Sequence, residues 1–378
     1  MQLNAEQLQI RETAKRFADV EIVPFVKEWE AAGCAPRSLY TKMADLGLMG
    51  MTASIEYGGV GADFVSYALA LEELSAADGG ICNVVSAHNS PVALALQTHG
   101  SEWQKENYLR RLTCGQWLGS IHLTEPHAGS DAAALKTEAV KDGDEYVLNG
   151  SKAFITAGES SDLAMIIAVT DPALGKRGIT AFITPTDNPG YEVVRKEDKL
   201  GHRTNDTCEI RFNDMRVAAS DVLGEVGRGL SIALANLSLG RIGVAAQATG
   251  GARAALEAAR QYARERETFG KKIGEHQAIA FKLADMATKI EAARQLYLHA
   301  ADMRDRDLQC STEASMAKLF ASEMAEQVAS QALQIHGGYG FLKDCPVEKI
   351  YRDVRVYQIY EGTSEIQKIL ISRALAKQ

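Results

Sequence analysis

The most regular pattern of apolar positions lies late in the chain. Ile279, Leu283, Met286, Ile290, Ala293, Tyr297 and Ala300 follow one another at intervals of four and three. Such a stripe predicts a helix packed lengthwise against others, as in a four-helix bundle, and marks core rather than a ligand site. Residues 1–119 also carry helical spacing, beginning with Asn4-Ala-Glu-Gln and continuing through Ile10, Ala14, Phe17 and Ala18 on one face. Glycine-rich breaks interrupt it at Gly58-Gly59-Val60-Gly61 and Asp78-Gly79-Gly80. Between 120 and 222 the texture changes to short alternating runs. Asp142-Gly143 separates runs 136–141 and 145–148, and Asn149-Gly150 precedes run 152–156, so both dipeptides predict hairpins. Runs 163–169, 179–184 and 208–212 continue the strand pattern. The fold class expected is α+β: an N-terminal helical domain over 1–119, a middle antiparallel β-barrel or sandwich over 120–222, and a C-terminal four-helix bundle over 223–378.

Composition narrows the function. Of 378 residues, 46% are apolar and 24% charged, an ordinary globular balance large enough for two or three domains. A net charge of −8 without a basic stripe argues against nucleic acid as partner. The six cysteines form no C-x-x-C pair, which favours free thiols in a reducing compartment. No apolar signal core opens the chain and no run of about 18 uninterrupted apolar residues occurs, so a cytoplasmic protein without membrane insertion is expected.

Familiar motifs fall short. Gly59-Val60-Gly61 lacks the third glycine of a dinucleotide loop, where Phe64 stands; Gly270-Lys271-Lys272 lacks the rest of a P-loop. His122 and His127 have no Cys or carboxylate pattern to complete a metal site, and no metal is expected.

Three segments hold more chemistry. In 358–367, Ser364 and Gln367 predict a capping box with Ile366, Ile369 and Leu370 opening an amphipathic helix. Glu361 then sits in the turn before a helix N-terminus, next to Gly362. A lone Glu there could simply favour the helix dipole. Segment 123–131 combines a proline turn, a glycine and hydroxyls, suited to a polar ring edge or a thioester carrier, or to ordinary Asx and Ser turns. Segment 334–340 ends a helical run with three glycines in four positions: a C-cap, or a backbone kept bare for a pyrophosphate or adenosine.

Together these segments carry a resemblance. Thr124-Glu-Pro-x-Ala-Gly-Ser-Asp131, Arg266-Glu-Thr-Phe-Gly270, Gln334-Ile-His-Gly-Gly-Tyr-Gly340 and Tyr360-Glu-Gly-Thr363, in that order, resemble the acyl-CoA dehydrogenase family over essentially the whole chain, with short or short branched-chain members nearest in look. The resemblance implies FAD, and oxidation of an acyl-CoA to a trans-2-enoyl-CoA as in fatty acid β-oxidation. Glu361 matches the base that takes the α-proton while the β-hydrogen leaves as hydride to flavin N5. The thioester oxygen is held by the base's own backbone N–H and a ribityl hydroxyl. Ile121, Leu123, Thr124, Gly129 and Ser130 match the loop lining the flavin, and Ser130 also reaches toward CoA. Phe154 and Thr156 match the strand on the flavin ring. Arg266, Phe269 and Gln277 match residues at the ADP half, as do Gln334, Gly337, Gly338 and Gly340 from a neighbouring subunit. Thr363 and Glu365 also match nucleotide contacts, and Ser238, Arg241, Tyr360 and Gly362 match the substrate side.

Three departures stand out. Some relatives carry the base before an arginine, where this chain has Gly240 before Arg241. Many relatives have Trp at Phe154, and an Asp that contacts the CoA arm is replaced by Ser238. The implied partner is an electron-transferring flavoprotein, and the implied assembly a homotetramer, a dimer of dimers. The implied compartment is the bacterial cytoplasm, or the mitochondrial matrix for a mature eukaryotic form. Two other readings stay open: an oxidase of the same fold using O₂, and a non-catalytic flavin- or CoA-binding scaffold.

Overall fold

The computed structural model describes residues 2–376. The order helical, β, helical is as expected, and the fold class holds. The N-terminal helix α1 (Ala5–Phe17) starts at the predicted cap. The Asn4 side chain accepts from the Gln7 N–H at 2.8 Å, and Gln7 answers by accepting from the Asn4 N–H at 3.0 Å. Helix α2 (Phe64–Ala77), capped by Asp63, is buried on nearly every face. Helix α3 (Gly79–Ala87) follows, capped by Asp78.

The middle region is one curled sheet of seven strands, β1 (Gly119–His122), β2 (Glu138–Asp142), β3 (Glu145–Thr156), β4 (Leu163–Val169), β5 (Ile179–Pro185), β6 (Tyr191–Lys196) and β7 (Thr207–Ala218). Strand order is β1-β4-β2-β3-β7-β6, with β5 also on β4. Its pairings are antiparallel except β1 with β4 and the end of β2 with β4, which are parallel. Asp142-Gly143 is a hairpin turn, with Gly143 at φ 62°. Asn149-Gly150 is not. The expected hairpin there is replaced by a bulge within the twelve-residue strand β3, whose register against β7 shifts between Leu148 and Gly150. The long partner β7 keeps the chain extended, and the Asn149 amide bridges the irregularity by donating to Asp214 (3.0 Å) and accepting from its N–H (2.9 Å).

Three long helices follow: α4 (Gly229–Glu265), α5 (Gln277–Asp305) and α6 (Ser311–His336). The shorter α7 (Pro346–Val354) and α8 (Ser364–Leu375) pack on them, α8 completing the bundle beside α6. The predicted stripe is core: Met286, Ile290, Ala293, Tyr297 and Ala300 are buried, Ile279 and Leu283 half-buried. Among the described residues α4 alone is long and apolar enough to cross a membrane. It is instead the central strut of the protein, lined against α2 and α6.

A buried ionic cluster joins the two helical regions. Glu72 on α2 accepts from Arg294 on α5 (2.6 and 3.0 Å) and from Arg253 on α4 (3.1 Å), with the Tyr297 hydroxyl alongside. Burial pushes its pKa up, but the two guanidinium groups outweigh that and hold it below the carboxylate range. Glu72→Gln removes the buried carboxylate that Arg294 and Arg253 share, leaving Arg294 to Glu291 and Arg253 to Glu73 and Glu257, and should cost about 3 kcal/mol in thermal unfolding, the low end for breaking a buried pair. An unchanged Tm would contradict this role.

Candidate active site around Glu361

Residues Glu361 and Gly362 are both left-handed, at φ 52° and 91°. For a glutamate this conformation costs of order 1–3 kcal/mol and persists only where neighbours enforce it. Two side chains do so. Lys318 Nζ on α6 and Gln367 Nε2 on α8 each donate to the Gly362 carbonyl at 2.8 Å. The helix cap differs from expectation. Thr363, not Ser364, caps α8 by accepting from the Ile366 N–H, and Gln367 faces the turn rather than forming a capping box. The left-handed pair sets the chain direction one residue early, so Ser364 is already helical.

The turn lays the Glu361 carboxylate against α4. A Cβ added to Gly240 would lie 2.2 Å from Glu361 Oε2. The position at which some relatives carry their base is therefore occupied here by the carboxylate of residue 361, and glycine at 240 makes the room. Oε2 is buried without a hydrogen-bond partner among the described residues, as is Arg241 Nε, while Arg241 Nη1 donates to Ser315 Oγ at 3.4 Å. Burial pushes the Glu361 pKa up to about 7, against the pull of Arg241 and then Lys318. Burial in turn lowers Lys318 to about 8, opposed by Glu361. An unpartnered carboxylate titrating near neutrality is suited to proton abstraction. The neighbouring Tyr360 hydroxyl donates to Gln247 Oε1 at 3.1 Å, which fixes its ring. Ser238, a turn earlier on α4, donates its hydroxyl to the Leu234 carbonyl at 2.9 Å, leaving it only as an acceptor toward a ligand.

A second group gathers at the end of the middle sheet. Ile121 and Leu123 are half-buried, and the Thr124 carbonyl accepts from Ala153 N–H at 2.9 Å, which ties the 123–131 loop to β3. Glu125 anchors the loop further. It accepts from the Lys136 and Thr137 N–H groups and from the fully buried Lys152 (2.8 Å), which also donates to the Leu123 and Ile167 carbonyls. Gly129 and Ser130 are exposed at its tip. Phe154 has φ 58° beside a second bulge and presents two-thirds of its surface; Thr156 accepts from Asn83 at 3.2 Å. His122 and His127 are structural: one pairs with Ser120, the other with the Ala134 carbonyl.

A third group forms a cavity of about 490 Å³ lined by Arg266, Tyr262, Thr268, His336, Gly337, Gly338 and Tyr339. Side chains added at Gly337 and Gly338 would meet nothing within 4 Å, so the backbone there is bare. Phe269 is almost wholly exposed at φ 52°, and Gln277 and Gln334 are exposed nearby in the chain without lining the cavity. Gly340 is buried, and a Cβ there would stand 2.5 Å from the Leu333 carbonyl, so packing by itself requires a glycine at this position. Glu365 is exposed on the first turn of α8. Bare glycine amides and an exposed guanidinium, with the exposed Phe269 and Tyr339 rings nearby, fit a phosphate-bearing aromatic dinucleotide.

Sequence reasoning missed Lys318, Glu125 and Lys152, and read Gln367 only as a cap. A signal for Lys318 existed: it falls on the buried stripe Ala314, Ala317, Ala321, Ala325 and Val328, where a lysine needs a reason.

Comparison with known proteins matches this architecture part by part. Family models for the N-terminal, middle and C-terminal domains of acyl-CoA dehydrogenase match residues 4–116, 120–215 and 227–376. An acyl-CoA dehydrogenase of Bacillus subtilis is 48% identical, covering 99% of each chain. The butyryl-CoA dehydrogenase structure from Megasphaera elsdenii superposes with TM-score 0.97 at 42% identity, over 100% of this chain and 99% of that one. A chain in the structure described as the electron transferring flavoprotein of Acidaminococcus fermentans gives TM-score 0.98 at 45% identity, covering 100% of both. Members of this family are oxidoreductases with FAD as cofactor, and the chain belongs to it: the acyl-CoA dehydrogenases.

Proposed function

We propose that this enzyme removes hydrogen from the α and β carbons of a short or short branched acyl-CoA, giving the trans-2-enoyl-CoA, with Glu361 as the base. The observation that carries the reading is the buried, unpartnered Glu361 Oε2 held against Gly240. An α C–H beside a thioester is a weak acid, so its base must be placed, desolvated and near its own pKa. The Glu361 turn meets each demand. Arg241 and Lys318 favour the carboxylate form without pairing with it, and the backbone N–H of Glu361 is assigned to the thioester oxygen. Ser130, Ser238, Tyr360 and Gly362 are assigned to the CoA and acyl side.

FAD, when bound, supplies the acceptor for the β-hydride. Ile121, Leu123, Thr124, Gly129, Ser130, Phe154 and Thr156 are assigned to its ring end. Arg266, Phe269, Gln277, Gln334, Gly337, Gly338, Thr363 and Glu365 are assigned to its nucleotide end. Because the cavity group and the Glu361 turn are separate patches, a pair of subunits sharing each flavin is the arrangement we favour, within a homotetramer. The exposed Phe269, Tyr339, Phe341 and Leu342 support such an interface. The likeness to the Acidaminococcus chain supports an electron-transferring flavoprotein as acceptor, and the Megasphaera likeness supports a short acyl chain. A cytoplasmic setting follows for a bacterial source.

Anaerobic titration of the flavin enzyme with C4 to C12 and branched acyl-CoAs tests the reading. Bleaching greatest with short chains is expected, and no bleaching with any of them would overturn it. Peroxide formed stoichiometrically in air would instead favour an oxidase. The base adds a pH dependence. Below its pKa Glu361 holds a proton and cannot accept another, so kcat/KM should rise with pH up to about 7 and level above it. A flat profile from pH 5 to 8 would contradict the assignment.

A further inference from the structure

Lys318 is wholly buried on α6, yet among the described residues it makes no ion pair with a carboxylate. Its hydrogen bond goes to the carbonyl of Gly362, the residue that follows the base. A buried ammonium spent on one neutral acceptor is costly, which argues for a local task. Resting on the Glu361 reading above, we propose that Lys318 is a positioning residue for the reaction: it clamps the left-handed base turn through the Gly362 carbonyl and supplies the positive charge that keeps Glu361 ready to accept a proton.

The two tasks separate by comparison with Gln367. Its amide donates to the same carbonyl at the same 2.8 Å and carries no charge. The turn thus has two clamps, one of them cationic. The charged and titratable groups that act on Glu361 come from every side. They are Arg241 from α4, Lys318 from α6, Tyr67 from α2, and Tyr360 next to it. Lys318 in turn feels Glu361, Arg241, Glu365 and Glu323. Arg241 is fixed by Ser315 and remains when Lys318 is removed, so the loss of charge is partial.

The test uses the FAD-bound enzyme and three variants, with flavin content and Tm measured alongside the pH profile of kcat. Lys318→Met should move the acid limb upward by about one unit, as loss of a nearby opposite charge does. Its kcat at pH 7 should fall about tenfold or more and recover in part at higher pH. Lys318→Gln keeps a donor without the charge, and should shift the limb equally while losing less of the plateau rate; it carries the test if the methionine variant folds poorly. Gln367→Met should lower the plateau and leave the limb in place. A limb unmoved in both Lys318 variants, with flavin retained, overturns the proposal. That outcome is distinct from failure of the base reading, which would show as activity surviving in Glu361→Gln whatever Lys318 does.

Discussion

Glu361→Gln should retain FAD and fold normally while losing at least ~10²–10⁴ in kcat, the usual worth of a positioned general base. Glutamine has nearly the same shape, so the left-handed turn, the Lys318 and Gln367 clamps and the contact with Gly240 should all survive. What disappears is the ability to take a proton. The neutral amide also removes the cost of a buried charge, so Tm should hold or rise slightly. Stopped-flow reduction of the bound flavin by butyryl-CoA is the direct readout. Reduction at a wild-type rate would remove Glu361 from the mechanism.

Gly240→Ala is expected to act on the same carboxylate from the opposite side. The new Cβ would stand 2.2 Å from Glu361 Oε2, and the three nearest atoms it meets outside its own helix all belong to that side chain. The carboxylate must therefore swing away, whereas the α4 backbone need not move. Alanine is also the better helix former by roughly 0.8–1 kcal/mol. The expected signature is unusual for a change in a buried helix: unchanged or raised thermal stability together with kcat lower by about 10²-fold, the effect of misplacing a reacting group by about 1 Å. Full activity would mean that Glu361 does not work from the position it occupies here.

The helical regions were legible because their signals are local and redundant. The stripe from Ile279 to Ala300 alternates intervals of four and three across seven residues, and Asn4 with Gln7 forms a cap that needs no distant partner. The middle sheet was legible as strands but not as pairings. Asn149-Gly150 has hairpin chemistry, and only the long partner β7, some sixty residues away, turns it into a bulge. The same limit applied at Ser364, where the cap was displaced by a left-handed pair imposed from α6. Glu361 was visible through its motif, but what makes it a candidate base was not: its burial, Gly240 on α4 and Lys318 on α6 come from helices distant in sequence. Gly340 shows the converse. Its place in a glycine-rich motif drew attention to a ligand, whereas the close approach of the Leu333 carbonyl, which requires a glycine there, has no signal in the motif.

Glu361, as the proposed base, must reach the α-carbon of a bound thioester. A 3-thia-acyl-CoA has an acidic α-carbon and no hydride to give from the next position, so it isolates the proton step. Incubated with the FAD enzyme in D₂O, its α-hydrogens should exchange rapidly by NMR with the native protein. They should exchange at least ~10²-fold more slowly with Glu361→Gln. Equal exchange by the two proteins would show that some other group takes the proton.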